Sequence, residues 1–148
     1  MPEQEPDRGG ESASHPVAEP RSVVFYDRDC GFCRWSLAQV LAWDRGHRLR
    51  PVALQDAEAR ARLGHMDHER MFASAHVVTP EGRVYSGGDA VAPILRLLPG
   101  GPSLAVVAGL MRGPSRIGYN WVARHRGMLG RPVPESARAR AIARIDRH

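Results

Sequence analysis

Two cysteines separated by two residues, in Cys30-Gly31-Phe32-Cys33, are the residues of this chain whose type and spacing can do chemistry. Two intervening residues on the opening turn of a helix bring the second sulfur within bonding reach of the first. A mixed disulfide formed at Cys30 can then be resolved by Cys33. A thiol at a helix N-terminus faces unpaired amide N–H groups and the positive end of the macrodipole, which favour the thiolate that attacks. Neighbouring charges pull both ways, because Arg28 favours a thiolate at Cys30 and Asp29 opposes it. Asp29 is expected to cap the helix. Asp27, at the end of an apolar strand, is placed to be desolvated and to take a proton from Cys33 during resolution. Gly31 and Phe32, between the cysteines, and Arg28 beside them are candidates for substrate docking.

The elements that must hold this motif are legible around it. Val23 to Tyr26 is a short β-branched and aromatic run that reads as a buried strand ending at Asp27. From Cys33 the apolar positions Leu37, Val40 and Leu41 follow helical spacing, with Gly46 as a stop and Phe25, Trp35 and Trp43 expected in the core. Arg48 to Leu54 reads as a second strand, Gln55 to Leu63 as a short helix ended by Gly64, and Ala75 to Tyr85 as a hairpin around Pro80-Glu81-Gly82. Asp89 is expected to cap a helix over Ala90 to Leu98. Leu104 to Met111, Ile117 to Met128 and Ser136 to Arg147 read as helices.

The chain of 148 residues has room for one modest core. Its 43% apolar and 25% charged residues, with no apolar run of 18, exclude a wholly disordered chain and a membrane-spanning helix. All 21 basic side chains are arginine, which excludes a Schiff-base lysine and a Walker-type phosphate site. Residues 1–20 are rich in Pro and Glu with a net charge of −4, and lack a secretory pattern, so a cytoplasmic location is expected. Residues 112–148 hold nine arginines against Glu135 and Asp146. There Arg138, Arg140, Arg144 and Arg147 lie largely opposite Ala137, Ala141, Ile142 and Ile145, an amphipathic arrangement that reads foremost as a solvated face. Nucleic acid or anionic lipid is a weaker reading of the same arginines.

The Tyr26-Asp27-x-x-Cys30-x-x-Cys33 pattern resembles the DCC family of thiol-disulfide oxidoreductases, and two further stretches extend the likeness. HVVTPEGRVYSGGDA resembles the family's hairpin and glycine-containing helix start, and YNWVARHRGMLG, residues 119–130, its aromatic and arginine-rich ending. The resemblance implies an α/β fold with a thioredoxin-like central sheet flanked by helices and a helical C-terminal extension. It also implies a dithiol/disulfide centre that needs no cofactor or metal and works on a protein or small-molecule disulfide or dithiol. On this reading residues 1–21 form a disordered acidic tail, 22–131 the domain and 132–148 a basic C-terminal helix. Two departures stand out: Arg28 and His125 replace the family's usual glycine and asparagine. An arginine would be strained if position 28 needs a positive φ. No proline precedes Ala75 where thioredoxins carry a cis-proline.

Two other function classes compete with redox chemistry. One is a non-catalytic binding module that holds an anionic partner on its basic C-terminal surface. The other is a zinc site made by Cys30, Cys33, His65 and His68, which the 31 residues between Cys33 and His65 and the tight histidine spacing oppose. His65 and His68 read better as a solvated loop, and His76 and His125 as structural or exposed residues.

Overall fold

The computed structural model describes residues 21–148, so the acidic tail expected over residues 1–20 lies outside the described residues. Strand β1 (Ser22–Tyr26) runs into helix α1 (Gly31–Trp43), strand β2 (Leu49–Ala53) and helices α2 (Ala57–Leu63) and α3 (His68–Ala73). Strands β3 (His76–Val78) and β4 (Val84–Ser86) form the expected hairpin, and a 3-10 turn over Gly87–Ala90 leads into α4 (Val91–Leu97). Helices α5 (Gly101–Leu110), α6 (Arg112–Leu129) and α7 (Glu135–Arg147) complete the chain. The protein is therefore α/β, with a mixed sheet between helices and a helical C-terminal extension. No helix among the described residues is long and apolar enough to cross a membrane.

The sheet has the order β2-β1-β3-β4, with β1 parallel to β2 and antiparallel to β3. Side chains of β1 alternate between two apolar layers, as a strand buried on both faces requires. Val23 and Phe25 pack with Val52, Leu63 and Met71 on the side of α2 and α3. Val24 packs with Leu37, Leu41, Leu98 and Ile145 on the side of α1, α4 and α7. Pro51 lies in β2, an edge strand, where a missing N–H is tolerated.

Several expectations are corrected here. His65 and His68 do not share one loop, because His68 opens α3, whose N-terminus is capped by Asp67 through Arg70 N–H at 2.8 Å. Asp89 caps no helix; it lies inside the 3-10 turn and faces Arg116 at 3.8 Å. Trp43 is surface-exposed rather than core, and its indole N–H donates to Pro99 O at 3.0 Å, so the bond that satisfies it is won at the rim. The φ at Arg28 is negative, so arginine there carries no left-handed strain.

Helix α7 is more than a solvated amphipath. Ala141 and Ile145 bury against α1, while Ile142 stays exposed. Its end is fixed by His148, whose Nε2 lies 3.1 Å from Asp44 Oδ2. Asp44 is fully buried at the C-terminal cap of α1 and also accepts the N–H groups of Arg48 and Leu49. Burial pushes its carboxyl up, but the bonds from Leu49, His148 and Arg48 together outweigh burial and hold it below the usual carboxylate range.

Candidate active site at the start of α1

The chain leaves β1 at Tyr26 and turns at Asp27, where Cys30 N–H donates to Asp27 O at 3.3 Å. It enters α1 with Cys30 extended (φ −86°, ψ 105°) as the N-cap residue. Cys30 Sγ accepts the N–H of Cys33 at 3.2 Å. The Cys30 sulfur is thus itself the helix cap, in place of Asp29. Cys30 and Cys33 are joined as a disulfide with Cα atoms 5.2 Å apart, and both residues are half-buried. The first turn of α1 contains no acidic residue, so nothing on the helix itself opposes negative charge at its mouth.

The loop before Cys30 is organised by a residue the sequence did not single out, Gln55. Its Nε2 donates to Asp27 Oδ1 at 2.9 Å and to Asp29 Oδ2 at 3.2 Å, and its Oε1 accepts Arg28 N–H at 3.2 Å. Asp27 Oδ1 also accepts Asp29 N–H at 3.0 Å. The signal for this was present: in a parallel pair the C-terminal ends lie side by side, so residues after β2 must meet residues after β1. Leu54 N–H indeed donates to Tyr26 O at 2.8 Å. The exposed Arg28 guanidinium pairs with Asp56 at 2.5 Å, so that contact holds its charge against a carboxylate rather than leaving it directed at Cys30 alone.

A second residue missed by sequence reasoning is Arg138 of α7. A Cβ placed on Gly31 would lie 3.7 Å from Arg138 Nε, so the guanidinium lies over the dipeptide between the cysteines. It is held there by a 2.6 Å bond to Gly130 O. Nothing local predicts this, since α7 reaches α1 only through tertiary packing.

Beside the disulfide opens a cleft of about 260 Å³. It is lined by Phe32 and Cys33 of α1, by Tyr119, Val122 and Arg126 of α6, by Ser74 and Ala75 before β3, and by Asp27. Most of the lining is hydrocarbon. Phe32 is half-buried, with its ring 6.0 Å from that of Trp35. No cis peptide occurs among the described residues, and Ala75 N–H, just before β3, donates to the Tyr119 hydroxyl at 2.8 Å. Gly87, at φ +57°, makes room for this arrangement: a Cβ there would meet the Tyr119 ring at 3.3 Å. Burial pushes the Tyr119 hydroxyl above its ordinary range, and the Tyr26 hydroxyl likewise.

Of the residues singled out from sequence, Asp27, Phe32 and Cys33 meet at the cleft, Cys30 and Gly31 stand at the helix mouth, and Arg28 points to Asp56. The alternative zinc site is not assembled: among the described residues no three His, Cys, Asp or Glu side chains come together in a metal-binding group. His76 is a buried structural residue, bonded through Nε2 to Met71 O at 2.9 Å and through Nδ1 to Ser86 Oγ at 2.7 Å. His125 is half-buried, stacks on Trp121 and bonds to the Trp121 carbonyl.

The model of the DCC1-like thiol-disulfide oxidoreductase family matches residues 24–132, most of the chain and every residue of the site but Arg138. The chain belongs to that family. No curated protein and no solved structure matches it.

Proposed function

We propose that the protein is a thiol-disulfide oxidoreductase in which Cys30 attacks, Cys33 resolves and Asp27 carries the proton. The observation that bears most of the weight is the position of Cys30 as the N-cap of α1, with its sulfur on a backbone N–H and its partner sulfur within bonding reach. In the reduced form the Cys30 thiolate attacks one sulfur of a substrate disulfide, forming a mixed disulfide and releasing one substrate thiolate. Asp27 takes the proton of Cys33, whose thiolate then attacks Cys30 Sγ and releases the second substrate thiolate. The Cys30–Cys33 disulfide is left, two electrons have passed to the substrate, and a dithiol must reduce the pair before another turn. Read backwards, the same steps oxidise a dithiol.

Substrate sulfur is guided by Phe32, Gly31 and the rim at Arg28, and the hydrocarbon cleft next to Cys33 takes an apolar group beside the exchanging bond. The order β2-β1-β3-β4, with its single parallel pair, supports a thioredoxin-like reading of the scaffold. The working compartment is the cytoplasm, where a two-cysteine pair in a chain of this kind is expected to cycle rather than to staple. The experiment is dithiol-dependent reduction of a small aromatic disulfide. Cys30→Ser abolishes turnover and Cys33→Ser arrests the protein as a trapped mixed disulfide; turnover by Cys30→Ser at the parental rate would overturn the proposal.

A further inference from the structure

An apolar helix with one face uncovered follows α4. Helix α5 has no charged residue, and its packing is against α4, where Ala105 is buried. The other side presents Leu104, Val106, Val107 and Leu110 to solvent, Val106 at 62% and Leu110 at 83% exposure. Among the described residues ten large hydrophobic side chains are exposed, and eight of them fall between Leu104 and Met128. Such clustering on one stretch is not the scatter of single apolar residues that ordinary surfaces carry.

Exposed apolar side chains recur on the next helix. Ile117, Trp121, Arg124 and Met128 recur at helical spacing on one side of α6, and Ile117 is 72% exposed. The opposite side of α6, carrying Tyr119, Val122, Ala123 and Arg126, lines the cleft at Cys33. The outward stripe is therefore spare surface, not part of the site.

Charge decides what fits it. Residues 90–134 hold six arginines and no Asp or Glu. A second copy of the chain laid on this surface would set arginines against arginines, and the one acid beside it, Asp89, already faces Arg116 at 3.8 Å. Exposed apolar side chains beside cations instead match the two layers of an anionic bilayer surface, hydrocarbon beneath phosphate. We propose that α5 and the outward stripe of α6 dock on an anionic lipid surface, inserting Leu110, Val106 and Ile117 below the headgroups while Arg124 binds phosphate. The helix α5, at ten residues, lies in the interface and does not span it. This surface lies outside α7, the element whose arginines suggested an anionic partner from sequence.

The test is co-sedimentation of the full chain with phosphatidylcholine vesicles, with and without a third of phosphatidylglycerol, at low and high salt. Binding is expected only to the anionic vesicles, weakened by salt. Leu110→Asp and Ile117→Asp, both at exposed positions, are each expected to lower the partition about tenfold or more with an unchanged circular dichroism spectrum. Cys30→Ser is expected to bind as the parent does, which separates this result from the redox proposal. No retention on anionic vesicles at low salt, or undiminished retention of both aspartate variants, overturns the inference. So does a solution dimer that Leu110→Asp dissociates, or capture by a polyanionic peptide without capture by vesicles.

Discussion

In the reduced protein two contributions are expected to favour a thiolate at Cys30, and substitution at Cys33 can separate them. The N–H of Cys33 donates to Cys30 Sγ at 3.2 Å, and the macrodipole of the 13-residue α1 adds to it. A hydrogen bond to a charged acceptor is worth about 1 kcal/mol more than one to a neutral acceptor. The helix terminus contributes about 0.3–1 kcal/mol more. Together these favour the thiolate by about 1.4 kcal/mol, or about tenfold in its population relative to a free cysteine. Cys33→Ser keeps the N–H and removes the second thiol, whereas Cys33→Pro removes the N–H at a first-turn position where helices tolerate proline. The assay is iodoacetamide labelling of Cys30 from neutral pH to the alkaline plateau. The ratio of neutral rate to plateau rate measures the thiolate fraction and cancels steric access. In Cys33→Ser that ratio is expected about tenfold above glutathione, and in Cys33→Pro about fivefold below Cys33→Ser, the loss of about 1 kcal/mol. Equal ratios in the two variants, with α1 intact by circular dichroism, would refute the capping argument.

Other outcomes follow from the surroundings. Ala123→Trp narrows the cleft beside Cys33 and is expected to slow reaction with a bulky aromatic disulfide severalfold while iodoacetamide labelling of Cys30 stays unchanged. Ile145→Ala opens a void between α7 and α1 and is expected to destabilise the fold by about 2–4 kcal/mol, read as a lowered denaturation midpoint. Burial lowers the pKa of His76 below 6.5 despite its bond to Met71 O. The unfolded chain therefore takes up this proton first, so the stability His76 contributes is full above about pH 6.5 and declines as pH falls toward its folded value. Denaturant titrations of His76→Gln and the parent should show a smaller pH slope in the variant over that range.

Much of the fold was legible because the signals were local. The β-branched run Val23–Tyr26, the turn at Pro80-Glu81-Gly82 and the helical spacing after Cys33 each express a short-range preference, and β1, the hairpin and α1 lie where those preferences put them. Helix α3 was missed because six residues, HERMFA, hold too few apolar positions to display a period. At the site, the motif located Cys30, Cys33 and Asp27, but local reasoning assigned the cap to Asp29, the commoner capping type. The sulfur took that place because the turn closed by Cys30 N–H on Asp27 O delivers Cys30 to the helix mouth. Gln55 follows β2 and Arg138 lies in α7, and only the strand pairing and the α1–α7 packing bring them near. Trp43 and α5 show the same limit from the other side, since apolar type did not reveal which apolar faces would find no neighbour.

On the proposed mechanism one atom of Cys30 both closes the helix and exchanges disulfides, and serine is among the residues best suited to close a helix. A single swap of sulfur for oxygen therefore silences the chemistry and spares the architecture. A copy altered only there would keep its cleft and its surface while losing the sulfur that captures a substrate, so any binding it retained would be the cleft's own.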